Sequence, residues 1–428
     1  MLTLPTIGWM CISILLQKKM HKPHNSPRFQ KNAVDPLRHI PLKTLFDVSE
    51  YGKLLRTLDD ATAQRVYKLH SVFTEAQIPI ETVETDENSK IAIIFERVNR
   101  GGVPLDTYQL LAAWTWSGDF DLRTRFEELT TELDDFAFSD LSDEPDLLLK
   151  CCAAVVKDHA TAAAVIELSG IEVRSRFEEF RNGVKGAIDF LQRECHVASL
   201  RILPYPTMLV PLARFFATDK AAGVHPNAIQ REALIKWFWQ SCFSRRYSSS
   251  VDNAVEHDIQ GMISLLNDDA SILVRTGNAA PSVKPDYFLE NTFSLGAVNS
   301  KTFVLLLAQA SPLSFLSGAV VNLDQVLQSC NRNEFHHIYP KNYLFETLKI
   351  VDRDIQYRLA NFAFLSQRDN RSIKDKPPAQ YEQLIPAAKK SSIYESAFIP
   401  AAGLTLSFED FCDQRAKLLA DCATTLCS

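Results

Sequence analysis

Through most of the chain apolar residues recur three and four positions apart, a spacing that lines them along one side of a helix. It predicts helices over residues 61–72, 88–98, 122–133, 145–157, 176–193, 206–216 and 227–242. The run Asn99-Arg-Gly-Gly-Val-Pro104 breaks the pattern, because its glycines permit positive φ and its proline stops helix continuation. Asp106 with Gln109, ahead of residues 110–116, and Ser407 with Asp410, ahead of residues 411–419, have capping-box spacing. Residues 24–45 are rich in Pro, Asn and basic side chains and read as an irregular lead-in. Strand-like segments come late, at residues 334–339 and 360–366, bounded by Pro340 and by a polar stretch. The expected fold class is mainly α, with a small ββα element inside a C-terminal domain.

At 428 residues the chain exceeds what one hydrophobic core usually organises. Helical patterning is interrupted between residues 267 and 284 by Asn-Asp-Asp, Thr-Gly-Asn and Ala-Pro-Ser, which places a boundary near residue 275. Residues 27–275 are then one helical region and 276–428 a second domain. Residues 1–26 read as an atypical, disordered leader. Its apolar run precedes Lys18 and Lys19 rather than following basic residues as in a secretory signal, and it is short for a membrane span. No membrane role is expected.

A formal net charge of −6 argues against non-specific coating of nucleic acid, yet leaves room for a local basic surface. The nine cysteines contain no C-x-x-C pair, so neither a zinc knuckle nor a secreted disulfide framework is indicated. Free thiols in a reducing cytoplasm fit better.

Hydrolysing a phosphodiester requires a base for water, positive charge on the non-bridging oxygens and help for the departing oxyanion. The segment Glu334-Phe-His-His-Ile-Tyr-Pro340 offers neighbouring imidazoles, His336 and His337, at a strand end. Further along come Leu359-Ala-Asn-Phe-Ala-Phe-Leu365 and then Asp369-Asn-Arg-Ser-Ile-Lys374, a polar run that would open a helix with amides and cations turned toward an anion. Singly, each feature has a plainer reading. Successive strand residues point to opposite faces, so both histidines reach one site only where the backbone twists. Asn361 and Asn370 separately suit turns or caps. Eight basic and five acidic residues between 341 and 376 describe either a solvated mixed surface or a weakly basic DNA-facing rim.

In order and spacing, His336-His337-Ile338-x-Pro340, Asn361 and Asn370 together resemble the HNH (ββα-metal, His-Me finger) nuclease motif. The nearest form is the C-terminal domain of the GmrSD-type modification-dependent restriction endonucleases, domain-of-unknown-function family 1524. That domain similarly has a Gly-Asn-Leu-x-Leu-Leu strand and an Asn-Arg-Ser helix start. Here the strand reads Ala360-Asn-Phe-Ala-Phe-Leu365, with alanine in place of the glycine. The resemblance implies that His337 is the general base and that Asn361 holds its loop and ring in place. It also implies that His336 and Asn370 share one divalent metal, magnesium or manganese first, although imidazole also suits later transition metals. Arg371 and Lys374 would contact phosphate. The activity implied is cytoplasmic, metal-dependent DNA cleavage of a restriction or phage-defence type.

Ile94-Phe-Glu-Arg-Val-Asn-Arg-Gly-Gly-Val-Pro-Leu105 resembles the N-terminal GmrSD partner, domain-of-unknown-function family 262, and a weaker similarity continues through Phe243-Ser-Arg-Arg-Tyr247. That family opens with a module carrying Asp-Gly-Gln-Gln-Arg, linked to nucleotide hydrolysis, and no such string occurs in this chain. The chain reads as starting after that module, so a separate chain supplying it is the expected partner and nucleotide-gated cleavage is not expected. Arg97, Asn99 and Gly101 also suit a helix cap and turn, and Arg245 and Arg246 a salt-bridged surface. The competing functional reading is a catalytically inactive DNA-binding or partner-binding remnant.

Overall fold

The computed structural model describes residues 11–13, 39–77, 107–116, 120–273, 282–323, 327 and 335–428. The chain separates into two compact units, Met1–Glu84 and Thr85–Ser428. In the first, β1 (Cys11–Ser13) pairs antiparallel with β2 (His39–Pro41), placing Ile12 opposite Ile40. Two helices follow, α1 (Val48–Thr57) and α2 (Asp60–Thr74). Asp47 and Asp59 cap them by accepting from first-turn N–H groups, which have no partner inside a helix. Ile40, Leu45 and Val66 form their small core. Apart from β1, the expected leader lies outside the described residues, as does the 94–105 motif.

The second unit is mainly α. Its helices include α3 (Thr107–Thr115), α4 (Leu122–Glu132), α5 (Pro145–Lys157) and α6 (Gly170–Cys195). α6 begins earlier than its apolar period predicts because Ser169 and Glu172 form a reciprocal capping box. Val173, Phe177, Phe180, Val184, Ile188 and Leu191 are buried, with Phe177 and Phe180 against Phe126 of α4, and the helix also packs on α7 (Leu209–Phe216). α7 is apolar nearly all round, which marks a central helix. Gly183 lies so close to the Ala213 carbonyl that a Cβ there would collide with it.

Next come α8 (Ala228–Phe243), α9 (Val251–Leu265) and α10 (Val298–Gln309). α9 and α10 are additions to the sequence reading. In α10 the whole stretch from Thr302 to Ala308 is buried, so it has no polar face to produce a period. After β3 (Phe335–His337) and β4 (Phe362–Phe364), the chain continues through α11 (Gln367–Ile373) and ends in α12 (Phe408–Cys427).

The expected boundary near residue 275 falls at positions 274–281, outside the described residues. Side chains from both sides of it share one core: α8 packs on α12, and Gln240 donates to the Cys427 carbonyl at 2.8 Å. Cys151, Cys152, Cys195, Cys242, Cys412 and Cys427 are free and buried. Among the described residues no helix is long and apolar enough to cross a membrane.

Candidate active site

β3 and β4 pair antiparallel, with Phe335 opposite Phe364, His336 opposite Ala363 and His337 opposite Phe362. Strand alternation sends Phe335 and His337 to one face and His336 to the other. Phe335, His337 and Phe362 accordingly line one cavity of about 580 Å³, which Thr292, Phe293, Ser294, Leu295, Arg353, Asp354 and Tyr357 complete.

Beyond β3 the chain is held by Asn361, which is fully buried. The backbone N–H of Ile338 donates to the Asn361 carbonyl at 2.7 Å. The next N–H, of Tyr339, donates to Asn361 Oδ1 at 2.8 Å. Asn361 Nδ2 donates to the carbonyls of Tyr339 (3.2 Å) and Gln356 (3.1 Å). An amide is the one side chain type that both accepts from and donates to a peptide group in this way.

Three further side chains brace the same region. Tyr381 Oη donates to the Ile338 carbonyl at 2.7 Å, and Tyr339 Oη to the Leu406 carbonyl at 2.8 Å. Arg415, fully buried on α12, donates to the Ala360 carbonyl at 2.7 Å and to Ala397. Burial pushes its pKa down to about 9, which leaves it charged at neutral pH.

His337 is half-buried, tilted against Phe362 (ring centroids 4.3 Å apart) and edge-on to Tyr357 (4.8 Å). Its Nε2 is buried and has no hydrogen-bond partner among the described residues. Burial first, then the charges of His336 and Lys341, lowers its pKa to about 4. The imidazole is therefore neutral at pH 7, the state a base needs. Arg353 lies over the face of the same Tyr357 ring at 5.0 Å, and Lys341 at 5.9 Å.

The remaining candidates sit elsewhere. His336 is half-buried on β3, and Asn370 is half-buried within α11. Arg371 and Lys374 are exposed, and neither they, His336 nor Asn370 line the cavity. Ser366 caps α11, and Asp369, buried in its first turn, accepts from Ser314 Oγ (2.7 Å), Leu316 N–H (2.9 Å), Ser317 N–H (2.8 Å) and Ser317 Oγ (2.9 Å). Burial alone would raise the Asp369 carboxyl, but these donors outweigh it and hold it below the ordinary carboxylate range. The helix that carries Asn370 is thus tied to the 314–318 turn.

Sequence reasoning missed Arg353 and Tyr357 as site residues, because only folding brings them beside His337. Asp369 had a legible signal, its capping spacing after Ser366. Of the Arg245–Arg246 pair, Arg246 is engaged by the buried Asp258 through bonds of 2.7 and 2.6 Å, with Tyr247 Oη donating to the same carboxylate at 2.5 Å. That pairing makes the Arg246 position structural. Arg245 is exposed at a positive φ.

No family model matches the chain. It is 21% identical over 385 residues to an uncharacterized protein of Methanocaldococcus jannaschii, an alignment covering 84% of this chain and 61% of that protein. The chain thus spans less than two thirds of that relative's length.

Proposed function

We propose that this chain is a metal-dependent DNA endonuclease of the HNH type, with β3, β4 and α11 as its ββα-metal element. The observation that carries the reading is the Asn361 bracket: one buried amide, on the edge of the paired strand, fixes both peptide groups of Tyr339 just after His337. An order of paired histidines, bracing asparagine and capped helix is what the resemblance to the restriction endonucleases requires.

By the resemblance His336 and Asn370 would hold the metal; in the structure β3 turns His336 to the face opposite His337, and neither His336 nor Asn370 lines the cavity that His337 lines. An imidazole and an amide oxygen are too few for a closed structural site, and among the described residues no group of three or more His, Cys, Asp or Glu forms one. So small a donor set would leave positions open for water and phosphate, and its imidazole suits manganese or a later transition metal better than magnesium, whose ligands are oxygens. When bound, such an ion supplies positive charge to the phosphate oxygens and the departing oxyanion.

The chain's own residues do the rest. His337, neutral at pH 7, is the base that would take a proton from the attacking water, and Phe362 and Tyr357 hold its ring. Asn361 and Tyr381 keep the backbone after it from shifting. Restriction or phage defence in the cytoplasm, with DNA as substrate and a separate chain providing a nucleotide-using module, is the setting this reading carries.

A non-catalytic DNA-binding or partner-binding module is the second reading, favoured by one observation: Nε2 of His337 is shut from solvent. Supercoiled plasmid incubated with purified protein decides between them. The nuclease reading expects nicking with magnesium or manganese that EDTA abolishes; intact plasmid under every metal, with DNA still retained, supports the second.

A further inference from the structure

We infer that Arg353, laid on the Tyr357 ring, grips the scissile phosphate in the cavity that His337 also lines. This rests on the nuclease reading and names a residue that neither the HNH-type spacing nor the α11 cations identify.

Base and cation share one aromatic platform. His337 stands perpendicular to the Tyr357 ring with centroids 4.8 Å apart, and Arg353 covers that ring at 5.0 Å, so a single ring sets where both groups stand. Both line the same cavity, and Lys341 adds a second cation over that ring at 5.9 Å. Arg353 is exposed and, among the described residues, has no carboxylate partner in an ion pair, so its fork of donors is available to a ligand. A guanidinium fork matches two non-bridging phosphate oxygens. Asp354 also lines the cavity, and its carboxylate opposes an anion that the two cations attract. Arg371 and Lys374, the cations suggested by the motif, do not reach this cavity's lining.

Parent protein, Arg353→Ala, Arg353→Lys and, as a charge-matched control, Arg123→Ala at an exposed position of α4 are compared in two measurements. One is plasmid cleavage with manganese. The other is affinity for a short duplex in EDTA across a salt series. Arg353→Ala is expected to cleave roughly 10²-fold more slowly, the order seen on removing one preorganised charge-stabilising donor. Its plot of log affinity against log salt should flatten by about one, the mark of a lost phosphate contact. Arg353→Lys should restore the salt slope but only part of the rate, and Arg123→Ala should leave the rate unchanged. If the parent cleaves and Arg353→Ala matches it in rate and salt slope, the clamp is wrong while the nuclease reading stands. If the parent shows no metal-dependent cleavage, both fall together.

Discussion

Asn361 grips Tyr339 from both sides of its backbone, accepting its N–H at 2.8 Å and donating to its carbonyl at 3.2 Å. The two residues stand on opposite sides of the β3–β4 pair, so this contact sets how the chain leaves the strand that carries His337. Because Asn361 has no exposed surface, water cannot replace the amide.

Asn361→Ala leaves the Tyr339 N–H and two carbonyls without their partner. Each buried group so stranded costs about 1–3 kcal/mol, so with three of them a loss of about 3 kcal/mol or more is expected in urea unfolding. Asn361→Asp should be no better at neutral pH, since a carboxylate accepts from Tyr339 but faces the carbonyls of Tyr339 and Gln356 with no donor. A variant as stable as the parent would show that the bracket contributes little.

The amphipathic helices were legible because one side of each meets the core and the other meets water. α5 follows its predicted span, and α6 differs mainly in a start set by Ser169 and Glu172. α10 was not legible, because burial on every side removes the contrast that makes a period. The short strands could be read around the two histidines and around Asn361, but the partners of Asn361 could not. Gln356 and Tyr339 are unremarkable by type and matter only through where the fold puts their carbonyls. Arg353 and Tyr357 were hidden for the same reason: in one dimension Arg353 is one charge in a mixed surface.

Glu382 predicts a pH dependence of stability. It is buried, and burial alone would raise its carboxyl, but the Tyr394 hydroxyl and then Lys390 at 3.0 Å hold it below the ordinary range. A lowered folded-state pKa means that its stabilisation is fully present above the unfolded value, about 4.3, and is lost as pH falls through the folded value. Glu382→Gln should therefore melt below the parent at pH 7, with the gap closing in acid below about pH 4. A gap that stays constant from pH 7 to pH 3 would place the effect in packing rather than charge.

His336→Ala and Asn370→Ala should behave alike if they share one metal. Each should weaken cleavage mainly by raising the manganese concentration needed for half-maximal rate, typically by about 10–100-fold, with partial recovery at excess metal. Unequal responses, with one variant indifferent to metal concentration, would break the pairing.

The most direct test is His337→Ala, compared with the parent at matched, saturating manganese. Removing a general base typically costs about 10²–10⁴-fold in rate, while an unchanged melting temperature and duplex affinity show that fold and binding persist. The nuclease account predicts that combination. Cleavage by His337→Ala at the parent rate would contradict it and assign any nuclease activity to another residue or to a contaminant.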